Sequence, residues 1–168
     1  MSILTLTELG AALSPGDRLI GLDVGSKTIG IALSDVMRTI ATPAETIRRS
    51  KFREDADAIH AIAEENGARA FIIGLPISMD GSEGPSCQSV RQFAANLMDA
   101  IGADVAFWDE RFSTSAVQRL LVDEADMTRK RRAEVVDKMA AAYILQGALN
   151  AIANMESADA KQEGTRQQ

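Results

Sequence analysis

Two apolar runs of strand length, residues 18–24 and 29–35, are separated only by a short polar turn that includes the letters GSK. Glycine and small polar residues let a backbone reverse direction, so the two runs predict a β-hairpin. The first run carries a carboxylate, Asp23, among apolar neighbours. Because burying a carboxylate is costly unless something pairs with it, Asp23 is expected either to be structural or to hold a ligand.

The pattern after the hairpin alternates between helix and strand. Pro43 interrupts a third strand over 39–49 and marks it as an edge strand. A short helix (6–13) is predicted before the hairpin. The elements predicted after the third strand are a helix ending at Gly67 (51–67), a strand (68–76), a helix (86–101), a strand (103–108), a helix from about Ser113 and a long helix (133–153).

Three strands in a meander followed by helix–strand crossovers make a mixed sheet with helices packed on it. The predicted fold class is therefore α/β, with a mixed five-stranded sheet, helices on both faces and Asp23 on the central strand. Residues 1–155 are expected to form a single domain, and the polar segment 156–168 is expected to be a disordered tail.

Composition limits the chemistry that this chain can use. The 168 residues include one cysteine and one histidine, which disfavours a histidine base and a histidine-rich metal site. One cysteine cannot form an intrachain disulfide, no run of about 18 apolar residues predicts a membrane span, and no signal peptide is recognisable, so a cytoplasmic protein is expected. A net charge of −6 means that nucleic-acid binding would need local basic patches.

Three acids fall at predicted element ends. Asp23 lies on the first hairpin strand, Glu110 follows the strand 103–108, and Asp137 precedes a face of small alanines on the last helix. Carboxylates that share one cavity repel one another unless a cation lies between them, and carboxylates without histidine or cysteine suit Mg²⁺ or Mn²⁺. Taken singly, each acid is equally well explained as a turn, surface or helix-start residue.

Candidate phosphate contacts surround these acids. Lys27 and Arg111 are sequence neighbours of the proposed acids, and the basic run 129–132 comprises Arg129, Lys130, Arg131 and Arg132. A weaker basic run, RRSK, occupies 48–51. Charged runs of this kind are usually solvated loops, and beside a metal site they are suited to seating a phosphate backbone.

Four ordered motifs, GLDVGSKTIGIALSD, IIGLPISMDGSEG, WDERFSTSAV and VVDKMAAAYILQ, resemble the YqgF family of bacterial proteins, described as Holliday-junction resolvases or pre-16S rRNA nucleases; the match spans about 18–150. The resemblance implies a ribonuclease-H-like fold and metal-dependent phosphodiester cleavage that matures the 5′ end of the 16S ribosomal RNA precursor. It also implies that Asp23, Glu110 and Asp137 are the catalytic acids and the ligands of Mg²⁺ or Mn²⁺.

Other functions stay open at this stage. A resolvase acting on branched DNA could use the same acids, and ribosomal particles are a further potential partner. An actin-like or sugar-kinase-like ATPase also opens with an Asp-x-Gly hairpin, although such proteins usually have two domains around the nucleotide. A non-catalytic nucleic-acid-binding module would tolerate replacement of the acids. Monomer and homodimer are both compatible with the sequence.

Overall fold

The computed structural model describes the backbone of residues 1–112 and 129–166. The elements in chain order are β1 (Ile3–Leu4), α1 (Leu6–Ala12), β2 (Arg18–Val24), β3 (Thr28–Ser34), β4 (Ala41–Arg48), α2 (Phe52–Asn66), β5 (Ala68–Leu75), α3 (Pro85–Ile101), β6 (Asp104–Asp109), a 3₁₀ turn (Glu110–Phe112) and α4 (Arg129–Arg166). The helix predicted from Ser113 lies outside the described residues.

The six strands form one mixed sheet in the order β1-β6-β5-β2-β3-β4. Strand β3 is antiparallel to β2 and β4, while β1–β6, β6–β5 and β5–β2 are parallel pairs. The prediction of five strands is corrected by β1, whose two residues are too short to show an alternating pattern. Asp23 lies on β2 in the interior of the sheet, and β4 is an edge strand, as predicted.

Helices cover both faces of the sheet, which confirms the predicted α/β class. Successive side chains of a strand point to opposite faces, so β2 contributes Ile20 to one core and Leu19 to the other. The first core packs against α2 and α3, for example through Ile59 and Phe93. The second packs against α1 and α4, where Leu145 is fully buried.

One end of the sheet gathers the segments of interest. Strands β2, β4, β5 and β6 all end there, and β3 begins there, because β3 alone runs in the opposite direction in this part of the sheet. We call this the site end. Asp23, Lys27, Arg48 and Glu110 all lie on or directly beside strand termini at the site end. The topology therefore brings distant sequence segments to one place.

Helix α4 is longer than the sequence pattern predicts. It begins at Arg129, so the prediction of a loop over 129–132 is wrong: arginine and lysine are good helix formers, and the charged run continues the helix. The helix also continues to Arg166, through most of the segment for which a disordered tail is predicted. Although α4 has 38 residues, neither it nor another helix in the described ranges is long and apolar enough to cross a membrane.

Candidate active site

Two of the predicted acids meet across the sheet. Asp23 is the penultimate residue of β2, and Glu110 follows β6 directly, with β5 between the two strands. The side chain of Glu110 crosses β5 at Gly74, where an added Cβ would lie 2.8 Å from the Glu110 Cγ and would overlap Oε1. Only a residue without a side chain leaves this path open. The Glu110 and Asp23 carboxyl groups reach hydrogen-bonding distance as a result.

Burial makes these two carboxyl groups hold protons more tightly than usual. It is the main cause that raises the pKa of Asp23 to about 6 and the pKa of Glu110 to about 7. The Asp137 charge raises the Asp23 pKa further, and the Asp23 charge does the same for Glu110. The hydrogen bond from Glu110 stabilises the ionised Asp23. The pair therefore retains a proton to a higher pH than ordinary carboxyl groups do.

Asp137 approaches this pair from helix α4, which packs on the sheet. Helix α4 rests on β3 at Gly30, where an added Cβ would overlap the Asp137 carbonyl group. Gly30 pairs with Asp23 in the β2–β3 ladder, so the helix contacts the sheet next to the acid pair. The Asp137 side chain is held by Thr28, whose hydroxyl donates to Asp137 Oδ2 at 2.5 Å. The third acid is thus close enough to act on Asp23 electrostatically but is directed toward Thr28.

The donor chemistry of the three acids fits a hard divalent cation. Carboxylate oxygens are the usual ligands of Mg²⁺ and Mn²⁺, and a cation would replace the proton that Asp23 and Glu110 share. In residues 1–112 and 129–166, however, no three histidine, cysteine, aspartate or glutamate side chains converge closely enough to form a metal cluster. Asp23 and Glu110 already converge, and Asp137 would have to turn from Thr28 to join them.

Two of the predicted phosphate contacts, Arg111 and Lys27, lie near the acid pair. Arg111 is tied to Asp109: its Nε donates a hydrogen bond of 2.8 Å to Asp109 Oδ2, and its Nη2 lies 2.6 Å from the same oxygen in an ion pair that lowers the pKa of Asp109. Its Nη1 faces Gly81 in the loop after β5. Lys27 lies exposed in the turn between β2 and β3 and lines a groove with Asp137. Both cations are at the site end, on opposite sides of the acid pair.

The basic run lies farther away along α4. Arg129 is eight residues before Asp137, about 12 Å along the helix axis at 1.5 Å per residue. Arg129, Arg131 and Arg132 are exposed, and the last two also interact within the protein. The Lys130 side chain lies outside the described part of the chain. The run therefore lies between about one and two helical turns before Asp137.

Sequence reasoning missed the residues that shape the site rather than react in it. Thr28 binds Asp137, while Gly30 and Gly74 make room for α4 and for Glu110. A signal for the glycines was present, because a glycine inside a strand often marks the close approach of another segment. No comparable signal marks Thr28, since threonine is common in strands.

The shared proton predicts a pH dependence of stability in a chelator. Both carboxyl groups have folded-state pKa values above the ordinary 3.8 and 4.5, so their contribution favours folding at low pH and is lost as the pH rises from about 4 to about 7. We expect the melting temperature of Asp23→Asn, relative to the parent in EDTA, to increase over this range and then level off. A constant difference across the range would contradict the shared-proton interpretation. Thermal melts at several pH values provide the measurement.

Comparison with known proteins adds an independent result. Residues 17–151 match the model of a family described as RuvX, Holliday junction resolvase. A candidate pre-16S rRNA nuclease of Paramagnetospirillum magneticum is 63% identical over 150 residues, covering 89% of this chain and 96% of the relative. A protein of the same designation from Rhodospirillum rubrum is 55% identical, covering 90% and 94% of the two chains.

Solved structures give a more distant likeness. The RuvC resolvase of Thermus thermophilus in complex with a Holliday junction substrate aligns with a TM-score of 0.47 at 15% identity, covering 80% of this chain and 94% of that one.

Proposed function

This chain belongs to the RuvX family, and from that premise we propose that it is a nuclease that hydrolyses phosphodiester bonds at the Asp23–Glu110 pair, with the 16S ribosomal RNA precursor as its substrate. The specific substrate is suggested by the relatives, which are designated candidate pre-16S rRNA nucleases and share 51–63% identity with it. The family match also favours a nuclease over the actin-like ATPase that the hairpin alone left open.

The observation that carries this proposal is the half-buried pair of carboxyl groups at the site end, whose pKa values are both raised. Two acids from strands that are not neighbours are brought into hydrogen-bonding contact, at a desolvation cost that raises both pKa values. Structural acids are normally paired with a cation or with backbone amides. Perturbed carboxyl groups that instead face each other at strand ends are typical of catalytic sites.

Asp23, Glu110 and Asp137 are the residues that would hold Mg²⁺ or Mn²⁺. A bound divalent ion supplies activation of water and stabilisation of the leaving oxygen in such reactions. Asp23 and Glu110 would release their shared proton as they bind it, because the cation removes the repulsion between them. Asp137 would have to exchange its hydrogen bond with Thr28 for the ion, and the packing of α4 on β3 beside the pair would limit the access of bulk water.

The deciding experiment offers the purified protein two substrates. Precursor ribosomal RNA and a four-way DNA junction are each incubated with Mg²⁺, Mn²⁺ or EDTA. We expect cleavage of the RNA at the 5′ side of the 16S sequence, dependent on the metal. Cleavage confined to the junction would support the second candidate, a resolvase, which the family description favours. Absence of cleavage of both substrates would contradict the nuclease proposal.

The basic start of α4 yields a prediction about affinity. Arg129, Lys130, Arg131 and Arg132 concentrate positive charge in an acidic chain. Replacing all four by alanine is expected to weaken binding of RNA of any sequence and to flatten its salt dependence, because each phosphate contact releases a counterion. Fluorescence anisotropy over a salt series measures both effects. Unchanged affinity and slope would mean that this helix turn is only solvated surface.

A further inference from the structure

A groove of about 650 Å³ opens beside the acids, between the β2–β3 turn, the end of β4 and the first turns of α4. Its lining includes Lys27, Arg48 and Arg49 on the sheet side and Glu134 and Asp137 on the helix side. Arg48 is opposite Thr28 in the β3–β4 register, and Thr28 binds Asp137. The groove therefore leads directly from the edge strand to the third acid.

Arg49 forms a fixed part of the groove wall. Its Nη1 donates to the Gly25 carbonyl at 2.8 Å, its Nε lies 3.6 Å from Asp55 Oδ2, and its guanidinium lies over the Phe93 ring at 5.3 Å. Asp55 is 2% exposed, and its Oδ2 accepts no hydrogen bond from the described residues. The charge of Arg49 is therefore needed inside the protein, to compensate Asp55 and to anchor the turn that follows Asp23.

Lys27 and Arg48 are in a different situation. Both are exposed, and the structure gives neither side chain an ion pair or hydrogen bond with the residues that it describes. Two neighbouring cations with no partner there, in a chain of net charge −6, constitute a local site for an anion. At about 650 Å³ the groove is too large for an isolated phosphate, whereas a chain of phosphates could follow it.

We propose that this groove seats the phosphate backbone of a nucleic-acid strand, with Lys27 and Arg48 as its contacts. The nucleic acid then crosses the site end from Arg111 beside β6, over the acid pair, to Arg48 on β4, and so follows the order of the β-strands in the sheet. Arg49 shapes the groove without being a principal contact. This inference rests on the proposed nuclease function and adds to it the direction in which the substrate lies.

The test is a charge-neutralising double variant, Lys27→Gln with Arg48→Gln, which keeps the length of both side chains. The matched control is Arg69→Gln with Lys161→Gln: both residues are exposed, one lies at the opposite end of β5 and the other lies far along α4. Binding of a fluorescent single-stranded RNA, and of DNA of the same sequence, is measured in EDTA over a salt series. Melting temperatures are recorded for all proteins.

We expect the double variant to bind both strands about tenfold more weakly at low salt, with the slope of log affinity against log salt smaller by about 1.4, since each single-strand phosphate contact contributes about 0.7. The control should change neither quantity. In a cleavage assay the double variant should raise KM and keep kcat, because it removes binding that precedes the reaction.

Three results would overturn the proposal: no binding by the parent at low salt, equal losses in the double variant and the control, or a loss confined to RNA. The last would indicate recognition of the 2′-hydroxyl instead of phosphate. The nuclease proposal is judged separately by cleavage in the presence of metal. A parent that binds through the groove but cuts neither substrate would refute the proposed function alone, and a parent that cuts but is insensitive to the double variant would refute the groove alone.

Discussion

Asp23→Asn and Glu110→Gln are each expected to reduce metal-dependent cleavage by at least about 100-fold, the scale on which preorganised charge acts in active sites. Each substitution keeps the shape of the side chain and removes one charge from the pair. Asp137→Asn should also lose most of the activity, since the same ion would lose a ligand. Asp99→Asn and Glu65→Gln change equivalent groups on exposed helix surfaces and should cleave at the parental rate.

Stability separates a catalytic pair from a structural one. In EDTA, Asp23→Asn and Glu110→Gln should melt above the parent, by about 2–4 °C for each kcal/mol of repulsion that is relieved. A structural acid would have the opposite effect, and its neutralisation would lower the stability by about 1–3 kcal/mol. Mg²⁺ should stabilise the parent more than either variant. Normal cleavage by the variants, or melting well below the parent in EDTA, would contradict the catalytic assignment.

Neutralising Asp137 is not expected to raise the melting temperature in EDTA. Its carboxylate accepts the hydrogen bond of Thr28, and the neutral amide oxygen of an asparagine would accept it more weakly, which offsets the repulsion of Asp23 that the substitution relieves. We therefore expect Asp137→Asn to be no more stable than the parent in EDTA while it still loses cleavage. The two kinds of acid can thus be distinguished by melting alone, before substrate is added.

The sequence was sufficient to predict where the acids lie but not how they contact one another. Asp23 lies near the end of an apolar strand and Glu110 follows another, and parallel strands bring their ends together, so their convergence is a consequence of topology. Whether Glu110 could reach across β5 depended on Gly74, whose role becomes visible only when the strands are placed side by side. The direction of Asp137 depended likewise on Thr28, a residue with no distinctive pattern.

The boundaries of helices and strands were likewise predicted only in part. Pro43 correctly predicted an edge strand because proline cannot donate to a sheet ladder. The start of α4 was misplaced because a run such as RKRR is compatible with a solvated loop and with a helix, and only the surrounding structure decides between them. Strand β1 contains two residues, and its pairing with Val105 and Ala106 depends on a partner about a hundred residues away.

Gly30→Ala is expected to lower both stability and cleavage, because α4 rests on this glycine. An added Cβ would overlap the Asp137 carbonyl group and would lie 2.9 Å from the Lys138 nitrogen. These are backbone atoms that cannot rotate away, so the helix must move. Overpacking of this kind costs about 1–3 kcal/mol, and a displacement of about 1 Å at a reacting group can cost about 100-fold in rate.

Substitutions at two further glycines separate the effect of displacing Asp137 from the effect of destabilising the protein. Gly21→Ala also presses on α4, with a Cβ 2.7 Å from Leu145 Cβ and 2.8 Å from the Ala141 carbonyl oxygen. Ala141 lies about one turn and Leu145 about two turns beyond Asp137, so this variant should destabilise comparably and cleave better than Gly30→Ala. Gly84→Ala meets no atom within 4 Å at a φ of −87° and should change little. If Gly30→Ala melts and cleaves like the parent, α4 does not rest on β3 at Asp137, and the third acid must be sought elsewhere.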